Sequence, residues 1–158
     1  KLWHKRASTF SGSNPDVWQV SCAAQFRRHV LCGAGTGGQV LRMTDSTPLE
    51  DGVSLTAVAT LPPQWAETGL AFADRVELEM EPGGNASDLS VTLAWSDDGG
   101  YTFNAGVARS MGASGDRSQR IYWSRLGSFR QRVFRFTFAA GARVRAYGAD
   151  LRQRMTAG

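Results

Sequence analysis

Two cysteines and two histidines are all the thiol and imidazole that this 158-residue chain offers for metal binding or redox chemistry. Cys22 and Cys32 are too few for a disulfide scaffold and fall short of a four-ligand zinc site. Pairing across neighbouring strands and a pair of buried free thiols both stay open, and the free thiols are the expectation. His4 and His29 belong to no H-E-x-x-H or comparable spacing. No G-x-S-x-G occurs, and neither cysteine sits in a nucleophile motif. No run approaches the roughly 18 apolar residues of a membrane helix. Helix-length stretches are scarce too, because 18 glycines and 5 prolines interrupt nearly every window. Lysine stops at Lys5, so the basic character beyond it is all arginine. Lys1 stands where a Met would open a gene product, and no apolar signal core follows, so the chain reads as a piece of something longer. The expectation is a non-enzyme without catalytic residue, cofactor, metal or membrane partner.

What is present is β pattern. Val76, Leu78 and Met80 alternate with Glu77, Glu79 and Glu81. Val91, Leu93 and Trp95 share a face, as do Phe134, Phe136 and Phe138, with Val133, Arg135 and Thr137 opposite. Ile121 with Trp123, and Val144 with Ala146, continue the period of two that marks half-buried strands. Turn clusters at Glu81–Ser87, Asp97–Gly100, Gly112–Asp116 and Ala139–Ala142 separate them at sandwich-like spacing. Trp18, Cys22, Phe26 and Val30 recur every four residues, which fits one helix or two strands, Val17–Ala23 and His29–Gly33, turning at Gln25–Arg28. The strands are favoured, because a Gly-rich turn and the short run Gln39–Met43 follow at once. The fold class expected is all-β: an antiparallel, jelly-roll-like β-sandwich, with N-terminal strands of propeller-blade type. The polar stretch Asp45–Gly52 suggests residues 1–50 as a short β segment and 51–158 as the sandwich domain. At 42% hydrophobic residues the chain can bury a real core.

Gly33-Ala34-Gly35-Thr36-Gly37-Gly38 satisfies G-x-G-x-x-G, but a pyrophosphate site needs a helix to start there. A strand follows instead, so the glycines read as a hairpin turn. Ser96, Asp98, Gly100, Thr102 and Phe103 fit the S-x-D-x-G-x-T-[WF] spacing of an Asp box. In such a turn the carboxylate accepts turn N–H groups, glycine supplies positive φ and the aromatic anchors the hairpin. These boxes are structural, and Asp97 beside Asp98 makes a poor acid/base pair because neighbours on a strand face apart. Asn85-Ala86-Ser87 is a glycosylation sequon.

Charge is divided along the chain. Arg109 to Arg154 holds eleven arginines against Asp116 and Asp150, while residues before Arg109 carry seven basic and twelve acidic side chains. Two readings stand. The halves satisfy each other within one sheet, Arg135, Arg143 or Arg145 meeting the Glu77, Glu79, Glu81 ladder. Alternatively the surplus faces a partner, and Arg109, Arg125, Arg130, Arg132 and Arg152 are the candidate interface. Tyr122 and Phe129 are the aromatics nearest to hand for single-stranded nucleic acid, with Phe129 expected to pack.

From Ser96 to Phe103, then Arg109, Gly115, Arg120-Ile121-Tyr122-Trp123, Arg125-Leu126-Gly127 and Arg130 to Phe136, the order of residues resembles the C-terminal part of packaged-DNA stabilisation and tail accessory proteins of short-tailed bacteriophages. Asp51-Gly52, Val76–Glu81, Trp3 and Gly33–Leu41 fit the same pattern, so the resemblance covers most of the chain. It implies a virion head–tail connector, assembled in the host cytoplasm, that docks at the portal with other tail proteins. It further implies a homo-oligomeric ring that retains packaged DNA. The charge split, acidic before Arg109 and basic after it, suits subunits joined head to tail, and the arginines allow electrostatic contact with DNA. A chain of this length lacks a complete propeller. The alternative is a carbohydrate-binding β-domain of a sialidase-like or other glycan-active protein, for which Trp3, Trp18 and Trp65 are available; Trp95 and Trp123 read as core.

Overall fold

The computed structural model describes residues 7–11, 14–35, 37–44, 46–47, 49–50, 52–66, 69–82, 89–112, 116, 118–139, 141 and 145–155, and they contain strands and turns but no helix. They fall into two units, residues 1–56 and 57–158. Trp3, His4, Gly115, Arg117, Arg143 and Val144, the Asn85-Ala86-Ser87 sequon and parts of the turn clusters after Glu81, Gly112 and Ala139 lie outside the described residues.

In the first unit, β1 (Ala7–Ser11) pairs with β2 (Asn14–Val17), and β3 (Val20–Phe26), β4 (His29–Ala34) and β5 (Val40–Met43) form an antiparallel three-stranded sheet. A two-strand hairpin, β6 (Leu49–Glu50) and β7 (Val53–Ser54), completes it. The four-residue spacing that also fits a helix is therefore a strand pattern, since four is a multiple of two. β3 starts three residues later than expected and turns at Arg27–Arg28, where Arg27 takes the positive φ of 54° that two-residue hairpins demand. Gly37 and Gly38, with φ of 82° and 65°, turn β4 into β5, so the glycine run is a hairpin. Cys22 pairs with Gly33, whereas Cys32 pairs with Ala23. Residues 32 and 33 point to opposite faces, so the two thiols do as well, and both are free. Cys32 is buried but Cys22 is exposed, which corrects the expectation of two buried thiols.

The second unit is an antiparallel sandwich. One sheet centres on β10 (Ala71–Glu81), flanked on one side by β16 (Arg145–Met155) and on the other by β13 (Gln119–Ser124) and β14 (Ser128–Phe129). The other sheet has β12 (Val107–Ser110), β11 (Ser90–Ser96) and β15 (Gln131–Phe138) in that order, with β8 (Val58–Thr60) and β9 (Gln64–Trp65) on the far edge of β15. Apart from the β11–β12 and β8–β9 neighbours and the short step from β13 to β14, the chain keeps crossing between sheets. Strands distant in sequence thereby become neighbours, β10 with β16 above all.

Val76, Leu78, Met80, Ile121 and Trp123 of the first sheet face Val91, Leu93, Phe134, Phe136 and Phe138 of the second in one hydrophobic core. Burying each large apolar side chain contributes about 1.5–3 kcal/mol. Trp123 and Phe136 meet with ring centroids 5.6 Å apart, and the indole N–H donates to the Val107 carbonyl at 2.8 Å. Phe129 packs as expected, and Trp95 lies half-buried against the core.

Two details depart from simple alternation. Val133, expected on the wet face, is buried, and so is Ala94 on its neighbour β11. The β11–β12 connection folds over this outer face: Phe103 lies under the Arg135 guanidinium at 3.8 Å. Gly106 (φ 75°) comes so close that a Cβ would stand 2.6 Å from Thr92 Cγ2 and 3.0 Å from the Leu93 carbonyl oxygen. On β16, Ala149 and Leu151 make the inward contacts, and Ala146 is exposed although a register shift between Glu79 and Met80 sets it opposite buried Met80.

Candidate partner interface

The sheet centred on β10 settles where most of the charge goes. Its outer face sets Glu77 opposite Tyr122 and Asp150, Glu79 opposite Arg120, and Glu81 opposite Arg145. Arg75 bonds Glu77 at 2.8 Å and stacks over Tyr122 at 4.2 Å. Arg120 reaches Glu77 and Glu79 at 3.8 and 3.7 Å, and Arg145 reaches Glu81 at 3.8 Å. Tyr147 donates its hydroxyl to Glu81 at 2.8 Å. A bulge between Ala73 and Arg75 turns Asp74 outward as the extra residue, and Arg154 holds it through two bonds of 2.6 and 2.8 Å. Arg145 thus meets the glutamate ladder, whereas Arg135 goes to Phe103 and Arg75 and Arg120 take the central places.

The chain's charge division is consequently not a surface division. Counted over residues 57–158, twelve arginines face ten carboxylates. The crossing topology interleaves acidic β10 with arginine-bearing β13 and β16. An acidic half docking onto a basic half does not describe this sandwich.

Arg132 is the clearest correction among the candidate interface residues. It is 2% exposed. Its Nε and Nη2 bond both oxygens of Asp97 at 2.6 and 2.7 Å, Nη1 donates to the Leu126 carbonyl at 2.6 Å, and Nη2 also donates to Ser128 at 3.1 Å. The rings of Phe129 and Trp95 lie 4.8 and 5.6 Å from its guanidinium carbon. A fork spent inside the fold is a strut, not a docking group. The signal was present in the sequence: Arg132 has the parity of Phe134, Phe136 and Phe138, which points it inward.

The other four candidates are exposed, and among the described residues no ion pair holds any of them. They are not together. Arg109 lies on the edge strand β12, Arg152 on β16 opposite Arg75, and Arg125 and Arg130 on either side of β14. Arg125 adopts φ 61°, and its N–H bonds the Asp74 carbonyl at 3.1 Å.

The Ser96–Phe103 turn is closed by one carboxylate. Asp98 accepts the Ser96 hydroxyl at 2.5 Å, the Tyr101 N–H at 2.9 Å, the Thr102 N–H at 3.0 Å and the Thr102 hydroxyl at 2.5 Å. Ser96 in turn accepts the Gly100 N–H at 2.8 Å. These bonds, those from Ser96 and Thr102 first, hold the Asp98 carboxyl far below the ordinary aspartate value of 3.8. The stabilisation it contributes is complete above that ordinary value and is lost as pH falls through the depressed folded value. Asp98→Asn places an NH2 where Oδ2 accepts two Thr102 donors. The variant is therefore expected to be less stable at pH 7 and to lose less on acidification than the parent. Urea midpoints between pH 7 and pH 2 check this, and parallel profiles for the two proteins would refute it.

His29 is exposed at the start of β4, and among the described residues no cluster of three or more His, Cys, Asp or Glu side chains is placed to hold a metal ion. Trp65 is exposed and Trp18 half-buried. Guanidinium forks and aromatic rings stand exposed on this two-sheet β-domain, a structural type that occurs with many functions. Residues 62–154 match the family model described as bacteriophage P22 Gp10, beta-sandwich. The match spans more than half of the chain, and the chain belongs to that family. It is a phage virion structural protein domain. A search of curated proteins found no match.

Proposed function

We propose that this chain is part of a tail accessory, or head–tail connector, factor that docks at the phage portal and stabilises packaged DNA. The match of residues 62–154 to the P22 Gp10 sandwich family carries the reading. On this reading the sandwich works by contact and shape: identical subunits form a ring, join other tail proteins, and close or extend the portal channel. The exposed arginines support it, since Arg is enriched in protein interfaces while Lys is depleted. Assembly takes place in the host cytoplasm, and any contact with DNA is electrostatic.

The test is mass by light scattering of the purified chain, alone and mixed with portal rings of the phage that encodes it. Co-elution with the ring is expected. A chain that stays monomeric and ignores the ring at micromolar concentration would count against portal docking.

A further inference from the structure

Free aromatic and arginine side chains converge at one end of the sandwich, around the first residues of β15. Trp65 of β9 pairs with Gln131, and the Ala66 N–H bonds the Arg130 carbonyl at 2.8 Å. The Ser96–Phe103 turn reaches the same place: a Cβ on Gly99 would stand 3.6 Å from Gln131 Nε2, and Asp97 is held by Arg132. Arg132 also bonds the Leu126 and Ser128 carbonyls, so one buried guanidinium fastens the turn and the 125–130 loop together. On this base Tyr101 is 90% exposed and Trp65 61% exposed, and Arg125 and Arg130, at the two ends of the fastened loop, are exposed as well.

We propose that this loop cluster is a docking surface for a protein that presents carboxylates around an apolar site. The inference rests on the virion reading and names the face that docks. Trp, Tyr and Arg are the residue types that dominate binding hot spots. Here Tyr101 and the two arginines stand on loops held by the Asp98 and Arg132 bonds and Trp65 on a paired strand, which lowers the entropy lost on binding. The acidic character of the partner follows from charge: Asp97 is satisfied by Arg132 and Asp74 by Arg154, whereas among the described residues no carboxylate pairs with Arg125 or Arg130. Nucleic acid fits less well, because two cations neutralise two phosphates, and duplex affinity grows with the number neutralised.

The test complements phage lacking the wild-type protein with full-length Tyr101→Ala, Arg130→Glu and the double variant, counting copies per purified particle by quantitative mass spectrometry. Arg125→Glu reverses charge from a second loop position, so the result does not hang on one site. Ser90→Glu is the control: exposed Ser90 pairs with Ser110, at the opposite end of β11 from Ser96. The melting temperature of each purified variant monitors folding. About tenfold fewer copies are expected for the double variant, with the control at the wild-type level. Wild-type copy numbers in well-folded cluster variants overturn the docking surface and leave the virion reading standing. Absence of the wild-type protein from particles removes that reading and this inference with it. Salt-dependent binding to a DNA duplex of about 30 base pairs, lost on Arg130→Glu, reassigns the cluster to nucleic acid.

Discussion

Arg132→Ala is expected to destabilise the sandwich by about 3 kcal/mol, the sum of two costs. The Leu126 carbonyl loses a donor in a buried setting, and a buried unsatisfied group costs about 1–3 kcal/mol. The missing side chain also leaves an unfilled space where its guanidinium lay over Phe129 and Trp95. Arg132→Lys is expected to do little better, since one ammonium cannot serve Asp97 and two carbonyls in the fork's geometry. Asp97→Ala gives a third comparison: it leaves the guanidinium buried without its carboxylate, the damaging way to break a buried pair. At about 4–8 °C per kcal/mol for a domain near 100 residues, Arg132→Ala should melt about 12 °C or more below the parent. Thermal unfolding followed by circular dichroism measures this. An unchanged melting temperature would show that the strut is dispensable.

Trp123→Ala should cost more, about 3–5 kcal/mol, a large part of the about 5–15 kcal/mol that holds a typical domain together. Trp123 is 1% exposed in the sandwich core, tilted against Phe136 and bonded to the Val107 carbonyl. Its loss empties the layer between the sheets and removes a bond from β13 to the edge strand β12. Trp123→Phe separates the two effects. It keeps a ring against Phe136 but leaves Val107 without its indole donor, so an intermediate loss is expected. Urea titrations of both variants order them, and a Phe variant as unstable as the Ala variant would mean that the hydrogen bond, not the ring, dominates.

Alternation along one strand is local, and so it was readable. The inward Val76, Leu78 and Met80, and Phe134, Phe136 and Phe138, follow from period two with no knowledge of their neighbours. The spacing of the Ser96–Phe103 turn is equally local, since every partner of Asp98 there lies within four residues. Arg132 was accessible by the same parity, yet its charge argued for the surface. Only Asp97, 35 residues away, and two turned carbonyls make its burial tolerable.

By itself the sequence determined the all-β class, the β10, β11, β13 and β15 core faces, and the absence of a helix to carry a phosphate site. These depend on backbone geometry and hydrophobicity within a few residues. Tertiary structure alone decided which charges are spent and which are free. Acidic β10 lies beside β16, Arg154 80 residues from Asp74, so charges that look segregated along the chain cancel across the sheet. The same crossings bring Trp65, Tyr101, Arg125 and Arg130 to one end of the sandwich. Such meetings depend on the order of strands in space, which period and composition do not contain.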